Sequence, residues 1–298
     1  MKSFTKLTKR FHARTAVTLL LAMFAFVTAF AQTLTISSDA DWVTFANNVN
    51  NGMSYSGQTV KLAADIIVTT VVGTDSTKFN GTFDGAGHKI NLALTASEDR
   101  CAPFRYVDGA TISLLTVTGT VSTGTNKYGA GLIAESTGSV TVKNCRSSVT
   151  ISGDRSSLSD KDATHGGFVS LEESGSLTFI NCLFDGNISD QSATNCGGFV
   201  GWRSSGSLTF TNCLMAGTLN IDVDNNSATF NRNGSSTLNN SYYITSYGAV
   251  QGTDAGSMSN ETLLDNLGSG WELSSGKIVP IVNTKNLYLA NITRLKKS

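Results

Sequence analysis

The sequence predicts an all-β fold, a parallel β-helix (solenoid) of about six coils with short capping helices, and the main evidence is a repeated segment. Residues 131–145 (GLIAESTGSVTVKNC), 167–182 (GFVSLEESGSLTFINC) and 198–213 (GFVGWRSSGSLTFTNC) are similar to one another. The cysteines that close these segments are 37 and 31 residues apart. Periods of this length are typical of solenoids, in which each repeat packs against its neighbours.

Composition favours strands over helices within each repeat. The runs SVTV, SLTF and SLTF alternate apolar and polar residues, which is the pattern of a half-buried strand. The chain has 29 glycines and two prolines, as expected of short strands joined by tight turns. A unit of about 31 residues holds three short strands, with neighbouring coils about 4.8 Å apart. Two inner columns are therefore predicted, Val140, Leu177, Leu208 and Val142, Phe179, Phe210, while Thr141, Thr178 and Thr209 face water.

An asparagine and a cysteine occupy matching positions in each repeat. Asn144, Asn181 and Asn212 are expected to adopt the left-handed conformation of a sharp turn and to bond to one another as a ladder. Each precedes a cysteine of the column Cys145, Cys182, Cys213. Side chains stacked in register rarely reach the disulfide dihedral, so these thiols are predicted to be free and buried. No C-x₂-C motif indicates a zinc site.

The first 31 residues have the pattern of a signal peptide. Five basic residues precede the apolar stretch 16–28, and Ala-Phe-Ala at 29–31 is a cleavage signal. The apolar stretch is shorter than the roughly 20 residues of a membrane span, so an integral membrane protein is the less favoured reading. Removal leaves 17 basic against 22 acidic residues, a net charge of −5. An extracellular or cell-surface location is therefore predicted, and nucleic acid is not expected as a partner.

Three regions are predicted after the signal peptide. Residues 32–58 form an amino-terminal cap, with an amphipathic helix over 39–51 that buries Trp42, Phe45, Ala46 and Val49. Residues 59–243 form the β-helix repeats. Residues 244–298 form a carboxy-terminal cap and tail, with a short helix over 259–267 and a strand over 277–282.

Two motifs carry a family resemblance. The segment FNGTFDGAGHKI at 79–90 resembles the opening coil of the pectate-lyase-like parallel β-helix superfamily. Gly-Gly-Phe-Val at 166–169 and 197–200 is similar to the GLUG-type repeats of secreted and surface proteins of Bacteroidetes and other bacteria. The resemblance covers about residues 33–282 and implies a right-handed β-helix at the cell surface, commonly in adhesion or glycan contact. Leu114-Leu115 replaces the Asn-Cys pair in the coil of Ala102-Pro103-Phe104, so irregular first coils are expected. The unit at Phe230 is eroded as well, since Asn240-Ser241 takes the place of Asn-Cys.

An enzyme on this scaffold, a polysaccharide lyase or a glycoside hydrolase, would need converging carboxylates and a base. Asp84 and His88 could form such a pair, but turn chemistry explains FDGAGH better. Glu172, Glu173 and Arg203 could share a face, but a surface ion pair explains this arrangement better. Ca²⁺ is conceivable at the polar insertion, which contains Asp154, Asp160, Asp162 and His165, but their spacing does not match a calcium loop. No catalytic residue, metal site or cofactor is predicted.

The polar insertions favour binding instead. Residues 152–165, 189–195 and 221–228 all fall between the Asn-Cys turn and the next Gly-Phe, so they are expected to gather on one side. Trp202 could be a platform for a sugar ring, or a packing tryptophan. The candidate binding residues are Trp202, Arg203, Glu172, Glu173, Asp160 and Asp162. The prediction is a non-catalytic binding or adhesion protein for glycans or host and matrix surfaces; the alternatives are the enzyme and a passive stalk.

Overall fold

The computed structural model describes residues 33–160, 162–190, 193–221 and 226–295. The predicted signal peptide lies outside these residues. The helices are α1 (Asp39–Asn50), α2 (Asn260–Leu267) and α3 (Thr284–Leu295). None of the described helices is both long and apolar enough to cross a membrane.

The strands of the first half are β1 (Thr33–Ile36), β2 (Thr59–Leu62), β3 (Ile66–Val68), β4 (Thr82–Asp84), β5 (Lys89–Thr95), β6 (Arg100–Cys101), β7 (Phe104–Asp108), β8 (Thr111–Gly124), β9 (Tyr128–Ala130), β10 (Ile133–Thr137) and β11 (Ser139–Gly153). Those of the second half are β12 (Thr164–Gly166), β13 (Val169–Glu172), β14 (Ser176–Ile180), β15 (Leu183–Phe184), β16 (Asn187–Asp190), β17 (Val200–Arg203), β18 (Ser207–Thr211), β19 (Leu214–Met215), β20 (Thr218–Ile221), β21 (Thr237–Asn239), β22 (Tyr242–Tyr243), β23 (Thr253–Asp254), β24 (Trp271–Ser274) and β25 (Lys277–Pro280).

Large parallel sheets dominate the architecture, which confirms the all-β prediction at that level. One sheet contains 16 strands, with the main order β1-β2-β4-β8-β11-β15-β19-β22-β23. A second sheet has the order β17-β13-β10-β7, and a third has the order β12-β9-β6. Successive repeats contribute strands to the sheets in the same order. One repeat contributes β9, β10 and β11, and the next contributes β12, β13 and β14. Only the pair β24 and β25 is antiparallel among the described strands.

The predicted columns are confirmed residue by residue. Val140 pairs with Leu177 and Leu177 with Leu208, while Val142, Phe179 and Phe210 form the second column. Members of both columns are at most 2 % exposed, whereas the threonines between them are half-buried. Because the register is the same from repeat to repeat, equivalent side chains lie over one another. The inner and outer positions of one repeat therefore predict those of the other repeats.

Aromatic rings fill the core along its length. Phe199 stacks between Phe168 and Phe230, with ring centroids 5.0 and 5.1 Å apart. At the amino end, Trp42 of α1 packs edge-on against Phe83 and Phe104, at 5.8 and 5.6 Å. The predicted helix is thus present, and it closes the apolar core at the first repeats. The limits of the three predicted regions remain a prediction.

The paired glycines of the Gly-Gly-Phe-Val motif have a steric cause. A Cβ on Gly166 would lie 1.9 Å from the carbonyl oxygen of Val169, and one on Gly167 would lie 2.2 Å from that of Gly198 in the next repeat. The chain folds back on itself at this corner, so neither position has room for a side chain.

The asparagine ladder is confirmed. Asn144, Asn181, Asn212 and Asn240 have φ between 44° and 53°, and each later amide donates to the preceding one at 3.5, 3.2 and 3.4 Å. Leu114 adopts the same conformation, with φ 55°, and Leu115 occupies the register position of Cys145. The irregularity expected of the first coils is therefore wrong for this backbone turn, because the regular pairing of β8 with β11 holds Leu114 in place.

All five cysteines are free and buried, as predicted for the aligned three. Burial raises the pKa of Cys101 to about 11 and that of Cys145 and Cys196 to about 12. A thiol held in an apolar interior resists ionisation and is a poor nucleophile.

A thiol reagent is therefore expected to leave the native protein unmodified and to modify all five cysteines once denaturant has exposed them. Mass spectrometry of the native and the unfolded protein measures this directly. Rapid modification of the native chain, or a bridge between any two cysteines, contradicts the buried-thiol arrangement.

The carboxy-terminal segment lies along the asparagine turns of several repeats. Leu263 and Trp271 pack on Leu183, Leu214 and Tyr242, which lie in neighbouring repeats. The Trp271 indole donates to Asn212 O at 3.1 Å, and the Asn144 amide donates to Ile281 O at 3.0 Å. The helix α3 was not predicted.

Candidate functional site

The sheet with the order β17-β13-β10-β7 determines which of the predicted site residues are exposed and which are buried. One cross-strand row contains Val107, Ser136, Glu172 and Arg203, and a bridge adds Phe79 to it. Phe79 and Val107 belong to the apolar core. Side chains of one row point to the same side of a sheet, so the Glu172 carboxylate is turned toward the interior. Glu172 is 1 % exposed, whereas the neighbouring Glu173 is exposed.

Glu172 is a buried acid without a hydrogen-bond partner. Neither of its oxygens is bonded within the described residues, and the same is true of Arg203 Nε. Burial raises the pKa of Glu172 to about 7, the Arg203 charge opposes the shift, and the Glu173 charge adds to it. Arg203 instead donates from Nη1 to Gly206 O. The two strand neighbours are adjacent in register, but they form no ion pair.

Trp202 is half-buried beside a cation. The guanidinium of Arg232 lies 4.2 Å from the centre of the Trp202 ring and also donates to Asn195 Oδ1. Burial lowers the pKa of Arg232, and the carboxylate of Asp162 opposes that shift. Arg232 therefore occupies one side of the ring, so only part of Trp202 is free to contact a ligand.

The two aspartates of the first insertion contact the same region. Asp162 Oδ2 lies 2.9 Å from Lys127 Nζ, and Asp160 Oδ2 lies 4.0 Å from it. Arg155 donates to the backbone oxygen of Asp160 at 2.9 Å and to Thr125 O at 2.5 Å. These bonds fold the insertion against the repeats, which places Asp162 near both Lys127 and Arg232.

Tyrosines and cations continue this arrangement across the earlier repeats. Arg100 lies 5.0 Å from the Tyr128 ring and 5.7 Å from the Tyr106 ring. Its Nε is 2.5 Å from Glu135 Oε2, and Lys78 Nζ is 3.3 Å from Glu135 Oε1. The contacts link one set of residues, here called the cation–aromatic seam: Lys78, Arg100, Tyr106, Lys127, Tyr128, Glu135, Asp162, Trp202 and Arg232.

The seam brings together part of the predicted site. Trp202, Asp160 and Asp162 belong to it or touch it, while Glu172 lies inside the core and Glu173 bonds to Ser204 Oγ at 3.0 Å on the exposed turn. The sequence did not predict the other members of the seam, which are Lys78, Arg100, Tyr106, Lys127, Tyr128, Glu135 and Arg232. The adjacent pairs Arg105-Tyr106 and Lys127-Tyr128 were a usable signal, because a cation next to an aromatic residue is common in binding surfaces.

The two histidines in the described part of the chain, His88 and His165, have structural partners. His88 Nδ1 is 3.5 Å from Asp65 Oδ1, while Asp84 Oδ1 accepts from Ala86 N at 2.8 Å, so the turn interpretation of FDGAGH is confirmed. His165 is fully buried, accepts from Gly129 N at Nδ1 and therefore donates from Nε2 to Asp190, 3.1 Å away. No cluster of three or more possible metal-ligating residues exists among the described side chains.

Comparisons with known proteins bear on the fold. No known protein family and no curated protein sequence matches this chain. The chain is similar in structure to a solved protein described as a putative immunoglobulin A1 protease from Bacteroides ovatus, with a TM-score of 0.58 and 14% sequence identity. The match covers 86% of this chain and 94% of that one. At this identity the similarity concerns the fold and not the activity.

Proposed function

We propose that the chain is an exported, non-catalytic binding protein that holds a glycan against the cation–aromatic seam of a right-handed parallel β-helix. The observation that carries the proposal is the seam itself, a row of aromatic rings beside cations that crosses successive repeats, in which Tyr128 and Trp202 are half-buried and Tyr106 is buried. Aromatic faces pack on the C–H faces of sugar rings, and the charged groups beside them bond to hydroxyls.

The β-helix part of the proposal rests on topology. Three successive repeats add strands to the same three sheets in the same order, first β6, β7 and β8, then β9, β10 and β11, then β12, β13 and β14, and the neighbours in these sheets are parallel. Connections between parallel strands of one sheet are nearly always right-handed. The export signal predicted from the sequence of residues 1–31 supports an extracellular or cell-surface location.

Protein ligands at host or matrix surfaces fit the same seam. Tyr128 and Trp202 are of the residue types enriched in protein interfaces, and arginine is as well. We prefer a glycan to a protein as the ligand. The cations of the seam are each paired with a carboxylate or an aromatic ring, and the hydroxyl groups of a glycan can bond to a surface that has no net charge.

A hydrolytic function is the second candidate. The solved protein with the similar fold carries a protease description, and a carboxyl group with a pKa of about 7, as at Glu172, is of a kind found in active sites. Glu172 faces the core, however, so a substrate would reach it only if the strands moved.

Trp202→Ala is expected to weaken glycan binding at least about tenfold, because it removes one of the aromatic contacts of the seam. A glycan array on residues 32–298 identifies the ligand, and calorimetry then measures the dissociation constants. Tyr288→Ala is the matched control, since Tyr288 is 68 % exposed on α3 and should not affect binding.

Two results would overturn the proposal. The first is binding that Trp202→Ala and Arg232→Ala both leave unchanged. The second is release of product from a polysaccharide or protein substrate that Glu172→Gln or Asp84→Asn abolishes. A chain that binds nothing on arrays of glycans and matrix proteins would support the passive stalk.

A further inference from the structure

A second polar surface lies at the amino end of the seam. It is an open cleft of about 490 Å³, bounded by the chain after α1, by the connection between β3 and β4, and by β7. Its lining residues are Gly52, Ser54, Ser56, Asp75, Ser76, Thr77, Lys78, Asn80 and Asp108. The volume is within the range of small-molecule sites, and the lining consists almost wholly of hydroxyl, amide and charged groups.

The walls of this cleft are held in place by hydrogen bonds behind them. The Asn50 side chain donates to Val71 O at 3.1 Å and accepts from Gly73 N at 2.7 Å. Asn80 N donates to Ser54 O at 2.7 Å, which ties the two loops together. Asp108 Oδ1 accepts from Thr137 Oγ1 at 3.3 Å. Because these contacts already fix the loops, a ligand would meet a preformed site and would not have to order one.

Several polar groups of the cleft are left for a ligand. Within the described residues no hydrogen bond engages the Asp75 carboxylate, the Asn80 side-chain amide or the Ser56 hydroxyl. Together they offer both donors and acceptors, which is what the hydroxyl groups of a sugar require, since each hydroxyl both donates and accepts.

The charge of the cleft favours uncharged sugars over acidic ones. The cleft contains two carboxylates, Asp75 and Asp108, and its only lysine is engaged by Glu135, 3.3 Å away. The net negative charge of the cleft would repel the carboxylate of an acidic sugar, whereas an uncharged sugar would experience no such repulsion.

Lys78 connects the cleft to the seam. It lines the cleft, and its Nζ also lies 5.8 Å from the centre of the Tyr106 ring and bonds to Glu135. A chain of sugar units could therefore place one unit in the cleft and pack the following ones along the seam.

We propose that this cleft is a subsite for an uncharged sugar unit, and that the glycan of the proposed function runs from it along the seam. The inference rests on the proposed function and adds the substrate class, a neutral oligosaccharide, and the position of one of its units.

The test uses neutral hexose oligosaccharides and uronic acid oligosaccharides of equal length as probes for residues 32–298, with dissociation constants from calorimetry. Asn80→Ala is expected to weaken neutral probes about tenfold, because one side-chain hydrogen bond or two are lost. Asp75→Asn is expected to reduce the ratio of the affinity for neutral probes to the affinity for uronic probes. Asn220→Ala, on the distant strand β20, and Glu261→Gln, on α2, are matched controls that should change neither quantity, and equal melting temperatures show that the variants fold.

The outcomes separate the two proposals. Neutral probes that bind with unchanged affinity to Asn80→Ala and lose affinity in Trp202→Ala would overturn the cleft and keep the seam. A higher affinity of the wild-type protein for uronic probes than for neutral probes would also overturn the proposal for the cleft. Wild-type protein that binds neither class of probe would overturn both.

Discussion

Leu177→Asp is expected to unfold the chain under conditions in which the wild-type protein is stable. Leu177 is 1 % exposed and lies between Val140 and Leu208 in the inner column. A carboxylate at this position would have no partner, and burying such a charge costs several kcal/mol, a large part of the stability of a typical domain. Thermal melting followed by circular dichroism measures the loss.

Thr178→Asp is the matched control for this variant. Thr178 is the next residue of β14 and its half-buried side chain is on the opposite side of the sheet, between Thr141 and Thr209. Its carboxylate can stay hydrated, so a much smaller loss is expected. Equal melting temperatures for Leu177→Asp and Thr178→Asp would contradict the assignment of inner and outer faces.

Glu172→Gln is expected to stabilise the protein above neutral pH and to leave its stability at acidic pH unchanged. The pKa of Glu172 is raised from 4.5 to about 7 in the folded chain. The folded state therefore holds this proton more tightly than the unfolded state does. Its contribution to stability is fully present below pH 4.5 and is lost as the pH rises through about 7.

The expected size of this effect is on the order of 1 to 3 kcal/mol at pH 8, because each unit of pKa shift corresponds to 1.36 kcal/mol and solvent near the carboxyl group screens part of it. Urea unfolding of wild type and Glu172→Gln at pH 4 and pH 8 measures it, and the two proteins should differ only at the higher pH. Glu173→Gln, on the exposed neighbour, should show no such dependence. A variant less stable than wild type at pH 8 would mean that the Glu172 carboxylate is paired with Arg203 in solution.

The parts of the fold that repeat could be predicted from the sequence. The columns at Leu177 and Phe179 and the asparagine ladder follow from one local pattern, because parallel strands in register place equivalent residues of successive repeats over one another. The helix α1 was predictable for a similar reason, since its capping serine and its apolar spacing are local signals.

The candidate site could be predicted only in part. Trp202 was identified from its type and its repeat, but its partner Arg232 stands in the eroded repeat and has no counterpart in the alignment. Glu172 was interpreted as a surface charge because two adjacent glutamates usually are. Its burial follows from the register row that it shares with Val107, and no local pattern encodes that row.

What the sequence by itself determined is the strand content, the register of the repeats and the buried thiols, since each of these follows from a short pattern that recurs along the chain. Only the tertiary structure decided which side chains meet across long separations. Asn144 bonds to Ile281, 137 residues later, and the polar cleft joins three segments that α1 and Asn50 hold together. The physical reason is that packing between distant segments depends on shape and on hydrogen bonds that form only after the repeats have stacked.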